Sequence, residues 1–131
     1  MKSVRAAGAA FILLASVAQA KTAYLLGPWG GAHVGVAFQG GLADVQFDCA
    51  SGTIDVPVLP AKDGTFEARG TFRAGHPGPV HVGQIYRSEP ASYSGKVVKQ
   101  EMTLTVTLED GTAVGPFTLT AGAPPQITRC L

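Results

Sequence analysis

Val34-Gly35-Val36-Ala37-Phe38-Gln39-Gly40-Gly41-Leu42-Ala43-Asp44-Val45-Gln46-Phe47 decides the fold. Val34, Val36 and Phe38 alternate with His33, Gly35 and Ala37. After Gly40-Gly41, Ala43, Val45, Phe47 and Cys49 alternate with Asp44, Gln46 and Asp48. Period two turns one set of side chains to a core and the other to water, which is the mark of an extended strand. A glycine pair between two such runs supplies the positive φ angles of a tight turn, so the stretch reads as a hairpin.

The same alternation extends outward. Ile54, Val56 and Val58 alternate with Asp55 and Pro57; beyond Asp63-Gly64, Phe66, Ala68, Gly70 and Phe72 oppose Glu67, Arg69, Thr71 and Arg73. Met102, Leu104, Val106 and Leu108 oppose Thr103, Thr105, Thr107 and Glu109, ahead of Asp110-Gly111. His81 to Arg87 and Ser92 to Val98 are candidate strands flanking Glu89-Pro90. Thr118 to Thr120 and Ile127 to Cys130 complete the set, with Pro124-Pro125 as a loop between them. About eight short strands at regular spacing predict an all-β fold, a small antiparallel up-and-down β-barrel, with a β-sandwich as the alternative. Barrel closure is favoured because it removes exposed strand edges. Gly75-His76-Pro77-Gly78-Pro79 makes a stiff corner but is too short to separate domains, so residues 21–131 read as one domain.

Met1 to Ala20 reads as an address instead of structure. Lys2 and Arg5 precede an uncharged stretch, Ala6 to Val17, and Ala18-Gln19-Ala20 supplies small residues where a signal peptidase cuts. The apolar run is shorter than the roughly 20 residues a bilayer span requires. The expectation is a periplasmic or secreted protein with no membrane span after cleavage. Losing Lys2 and Arg5 from 10 basic residues against 9 acidic leaves the remainder with one excess negative charge. That balance excludes a polybasic nucleic-acid binder, and charged residues at 15% with 46% hydrophobic exclude a disordered chain. Cys49 and Cys130 are the only two cysteines and would meet an oxidising compartment, so a structural disulfide is expected. Closing so long a loop is worth on the order of 4 kcal/mol in chain entropy.

Familiar catalytic signatures are missing: there is no Gly-x-Ser-x-Gly elbow, no phosphate-binding Gly-x-x-x-x-Gly-Lys and no His-Glu-x-x-His. Four residues stand out as candidate binding groups, namely Trp29, His33, His76 and His81. Trp29, within Gly27-Pro28-Trp29-Gly30-Gly31, either plugs a barrel end or lines a ligand mouth that the glycines let something approach. The histidines lack carboxylates at ligand spacing, so neither a metal nor a cofactor is expected. Thr103, Thr105 and Thr107 read as an exposed threonine ladder of good strand formers.

The strings Gly-Pro-Trp-Gly-Gly-x-His-Val-Gly (27–35), Phe47-Asp48-Cys49-Ala50 with Gly52-Thr53-Ile54-Asp55, and Tyr93-Ser94-Gly95-x-Val97 resemble an uncharacterised family of small exported bacterial β-rich proteins. Met102 to Thr107, Gly115-Pro116-Phe117-Thr118-Leu119 and the Pro124-Pro125…Cys130-Leu131 terminus extend the likeness over nearly the whole mature chain. The resemblance implies an exported domain and carries over no functional residues. The glycine-tryptophan opening and the Tyr-x-Gly-x-Val run are more loosely similar to lipocalin-like small β-barrels.

The leading functional expectation is a non-catalytic binding barrel whose target is a small apolar ligand held inside, or a protein or glycan held by its loops. The small inward residues Ala43, Ala68, Gly70 and Gly95 predict a narrow, filled interior, which favours the loops or the outer wall. The alternative is an inhibitor of an exported hydrolase, a lysozyme or a protease, presenting the His76 to Pro79 corner. A third reading is an enzyme with an unrecognised site, using His33 with Asp48 or Glu67.

Overall fold

The computed structural model describes residues 23–75 and 87–130. The expected leader, His76, His81 and nearly all of the candidate strand from His81 to Arg87 lie outside the described residues. Eight strands follow one another: β1 (Gly27–Gly31), β2 (Val34–Gln39), β3 (Leu42–Phe47), β4 (Ala50–Ile54), β5 (Thr65–Ala74), β6 (Glu89–Val98), β7 (Glu101–Leu108) and β8 (Ala113–Ala121). Each pairs antiparallel with the next, and β8 returns to β1 through Trp29–Ala121 and Gly30–Thr120, closing the barrel. This is the expected up-and-down barrel and not the two packed sheets of a sandwich.

The turns explain where the strands stop. Gly40, Gly41, Gly64 and Gly111 all adopt positive φ, as the glycine signals required. Three hairpins lack any glycine signal, and His33 (φ 69°), Cys49 (φ 53°) and Lys99 (φ 56°) take the left-handed conformation instead. A side chain there costs roughly 1–2 kcal/mol, which the flanking ladders must offset. Several strand boundaries differ from the periodicity: Gly27–Gly31 forms a strand that alternation did not mark, β6 begins at Glu89 and so takes in the Glu89-Pro90 read as a break, and β8 begins at Ala113 instead of Thr118. Val56 and Val58 belong to the β4–β5 connection, where Val58 turns into the core while β4 itself begins at Ala50. Ile127 to Cys130 is not a barrel strand, because β1 already occupies the place beside β8.

The core is continuous and apolar. Inward residues meet across the strands, as in the row Val36–Val45–Gly52–Phe72 and the row Phe66–Gly95–Leu104–Phe117. Among the described residues no polar or charged residue is buried. Tyr93, fully buried, reaches across β5 so that its hydroxyl donates to the Thr71 carbonyl at 2.7 Å. Gly52 and Gly70 make that reach feasible: a Cβ on Gly52 would sit 2.1 Å from the Tyr93 hydroxyl, and one on Gly70 would sit 2.9 Å from its ring. Burial, and secondarily the charge of Asp55, push the Tyr93 phenol above its ordinary pKa. The small inward residues therefore do not hollow the barrel. They make room for large aromatic side chains from neighbouring strands, Tyr93 over Gly70 and Gly52 and Phe66 over Gly95.

Each end of the barrel gathers a different set of connections. The β1–β2 turn (Ala32-His33), the β3–β4 turn (Asp48-Cys49) and the β7–β8 turn lie at one end, together with Gly75. Residues 23–26, the β2–β3 turn, the β4–β5 connection and the β6–β7 turn lie at the other.

Candidate functional site: a strapped wall and its groove

After β8 the chain does not stop at the barrel's edge but runs back along its outer wall. Gly122 N–H donates to the Pro28 carbonyl at 2.7 Å, and Pro124-Pro125 then crosses Gly30 and Gly35, a directly paired couple on β1 and β2. Neither glycine has a side chain to lift the tail away. A Cβ on Gly30 would lie 2.3 Å from the Ala123 carbonyl oxygen, and one on Gly35 would lie 2.6 Å from the Pro125 Cβ. Both glycines face outward in the alternation yet are buried, because the tail covers them. Gln126 then forms a parallel bridge to Ala32: its N–H donates to the Gly31 carbonyl at 3.0 Å, and its carbonyl accepts from the His33 N–H at 2.8 Å.

Two further fasteners hold the strap at the β3–β4 turn. The Thr128 N–H donates to Asp48 Oδ1 at 2.7 Å, and His33 Nδ1 hydrogen-bonds Asp48 Oδ2. Asp48 thereby joins the β1–β2 turn, its own turn and the tail. Its carboxyl is held below the ordinary carboxylate range, chiefly by the Thr128 N–H and then by the His33 imidazole, against an opposing loss of hydration. One residue on, Cys49 is bonded to Cys130 with a Cα separation of 4.6 Å, closing a loop of 81 residues. The disulfide read from cysteine count and compartment is present. We call this the strapped end. Phe47, Phe72 and Phe117 pack beneath it with ring centroids 5.5 and 5.4 Å apart.

Between the strap and the outer face of β3, β4 and β5 runs a groove of about 710 Å³. Ile127, Pro125 and the disulfide form its apolar side, while Gln46, Ser51 and Arg129 supply polar groups. No carboxylate is among its described lining residues, and Arg73 adds a second guanidinium. The wall beside it is polar, with Thr53 Oγ 2.7 Å from Thr71 Oγ and 2.8 Å from Asp55 Oδ1.

The four candidate binding residues do not converge. Trp29 is in the core at 6% exposure, its Nε1 without a hydrogen-bond partner among the described residues. The glycines around it do permit a close approach, and what approaches is the chain's own tail. His33 is exposed at the strapped end, paired with Asp48. His76 and His81 lie outside the described residues. Glu67, the other partner considered for His33, instead accepts from Ser92 Oγ at 3.2 Å on the outer face of β5 and β6. Among the described residues no cluster of three or more His, Cys, Asp and Glu could hold a metal ion. The groove was invisible to strand periodicity because its second wall is the tail. The only sequence signal for it was two outward glycines, Gly30 and Gly35, opposite a Pro-Pro pair. Comparison with protein-family models, with curated proteins and with solved structures finds no match to this chain.

Proposed function

We propose that this chain is an exported, non-catalytic binding module that takes a segment of a protein partner on its outer wall, in the groove beside the strap. The observation that carries this reading is the filled interior. Eight-stranded barrels that hold a ligand need internal space, whereas here aromatic and aliphatic side chains from all eight strands join in one buried cluster. The groove is the concave, mixed apolar and polar surface that remains. The Arg129 guanidinium, with no carboxylate among the described lining residues, suits an acidic loop with an apolar residue beside it. Export accords with the disulfide and with the basic and apolar N-terminal segment, as does the resemblance to small exported bacterial proteins.

An exported hydrolase is the partner class we favour for a first test. The ¹⁵N-labelled protein is titrated with a lysozyme and with a serine protease while hydrolysis is followed. Binding should shift the amide resonances of Ser51, Thr128 and Arg129, and Arg129→Glu should weaken it about tenfold, the scale of one charge-assisted contact. Unshifted spectra with both probes remove the hydrolase reading; shifts confined to the opposite end remove the groove.

The His33–Asp48 pair has the Nδ1-to-carboxylate geometry of a catalytic base and its orienting acid. Its other bonds argue for a fastener. Asp48 also carries the Thr128 N–H, the His33 backbone N–H is bonded to Gln126, and among the described residues no hydroxyl or thiol is hydrogen-bonded to the imidazole.

A further inference from the structure

The groove has one wall that belongs to the barrel and one that does not. Gln46 and Ser51 are directly paired on β3 and β4, so the sheet fixes their places. The facing wall is tail, from Pro125 to Cys130. The barrel closes without it, because β8 already pairs with β1 through Trp29–Ala121 and Gly30–Thr120. As far as Ile127 the tail is tied to β1, β2 and their turn. Backbone hydrogen bonds join Gly122 to Pro28 and Gln126 to Gly31 and His33, and Ile127 rests beside Gly35, where a Cβ would stand 3.9 Å from its Cδ1. Past Ile127 the fasteners among the described residues are the Thr128 N–H on Asp48 Oδ1 and the Cys49–Cys130 bond. They grip the residues on either side of Arg129, and both lead to the β3–β4 turn. Arg129 is exposed, and its place in the groove follows from these neighbours.

We propose that the Cys49–Cys130 disulfide is a redox gate on this groove. Closed, it sets Arg129 against the β3–β4 wall and completes the binding site; opened, it releases Thr128 to Cys130 and leaves a folded barrel with the site dismantled. The inference rests on the groove being the binding site, as proposed above. The Thr128–Asp48 bond does not hold this wall alone, since one hydrogen bond at an exposed site is too little to fix Thr128 to Cys130 against their backbone entropy. With the disulfide closed, Thr128 is already beside Asp48 and the same bond forms at little further cost. The sulfurs are within reach from outside. Both cysteines are half-buried and line the groove, and Gly75 lies against Cys49 without a side chain, a Cβ there standing 3.2 Å from Cys49 Sγ. A dithiol reductant opens the bond by exchange. Its first thiolate attacks one sulfur, forming a mixed disulfide and expelling the other cysteine as a thiolate. Its second thiolate then displaces the remaining cysteine, and the reductant leaves as a cyclic disulfide. The protein gains two electrons and the two protons that the reductant's thiols release, and ends as two thiols. A donor disulfide, itself reduced to a dithiol, closes the gate by the reverse exchange. In a reducing compartment the chain is then a barrel without a groove, and the site is assembled where disulfides persist.

The test compares the oxidised wild type with Cys49→Ser/Cys130→Ser, which holds the gate open without a reductant that would also attack a partner's disulfides. The variant should keep the circular dichroism spectrum and the exchange protection of the β5–β6–β7 ladder. Exchange at the Thr128 amide should accelerate about tenfold, with the Gln126 amide, bonded to Gly31, little changed. Wild type treated with dithiothreitol should show the same pattern. Towards whichever of the lysozyme and the serine protease the oxidised protein binds, the variant should be about tenfold weaker. Arg129→Glu, costly in the oxidised protein, should cost nothing further in the variant. A variant without the barrel spectrum overturns the proposal, because the bond would then hold the fold and not the wall. So does one whose Thr128 exchange matches the wild type, and so does one that binds the partner as tightly. If neither probe binds the oxidised protein, the hydrolase reading falls, and exchange at Thr128 still decides whether the disulfide holds the wall.

Discussion

At the strapped end, the cylinder is closed by an aromatic cluster and then locked from outside by a backbone bridge, a shared carboxylate and a disulfide. At the opposite end, the buried closure consists of Val58 with the partly buried Leu25 and Val56, and beyond it project exposed apolar side chains. The strand geometry is the same at both ends, so the contrast comes from the connections. The cross-links between separate connections, the disulfide and the shared carboxylate, lie at one end, while the exposed large hydrophobic side chains lie at the other. Stability contributed by the connections is therefore concentrated at the strapped end. Substitutions of matched size should separate the two.

The largest effect is expected from Cys49→Ser/Cys130→Ser. Freeing an 81-residue loop should lower the urea unfolding free energy by about 4 kcal/mol in the chain-entropy treatment, with the barrel signature in circular dichroism retained below the midpoint. Next comes Gly30→Ala, whose Cβ meets backbone of the tail. It should destabilise by about 1–3 kcal/mol as an overpacking change, and hydrogen exchange should accelerate at Gln126 and Thr128 while the β5–β6–β7 ladder stays protected. A smaller loss, about 1 kcal/mol, is expected for Tyr93→Phe, which removes one buried hydrogen bond to the Thr71 carbonyl. Tyr93 belongs to neither end, so its variant should leave the strap's exchange unchanged.

The smallest effect sharpens the comparison through pH. Asp48 has a lower pKa folded than unfolded, so its contribution is fully present above the unfolded value of about 3.9. It disappears as pH falls through the lower folded value. Thermal melts of the wild type and Asp48→Asn should therefore differ at neutral pH and converge in strong acid. Asp110 has a similarly lowered carboxyl, held first by the Thr112 N–H. Its bond lies within one turn, so Asp110→Asn should leave exchange in the tail unaltered.

Much of the barrel was legible because strand periodicity is a one-dimensional signal. Val34 to Phe38, Ala43 to Phe47, Phe66 to Phe72 and Met102 to Leu108 alternate in sequence, and each lies in a strand with the expected face inward. Gly40-Gly41 and Gly111 announced their turns through the backbone conformation they alone adopt cheaply. Ala32-His33, Asp48-Cys49 and Lys99-Gln100 carried no such announcement, since residues with side chains occupy the left-handed conformation there. β1 was obscured because Gly27-Pro28-Trp29-Gly30-Gly31 has one large side chain in five residues, and its meaning depends on a tail nearly a hundred residues later. The same long-range dependence hid the groove. Cys49 with Cys130, by contrast, needed only a count of two. His33 and Asp48 were paired in prospect as chemistry; their bonds to Gln126 and Thr128 make them part of the strap.

The central claim is that the cylinder is full and acts from its outside. Native mass spectrometry of the protein purified from its own host tests it most directly. The account predicts one species, at the mass of the polypeptide alone less the two hydrogens of the disulfide, with no small molecule released on denaturation. A stoichiometric apolar ligand that survives gentle ionisation and departs only when the barrel unfolds would contradict it.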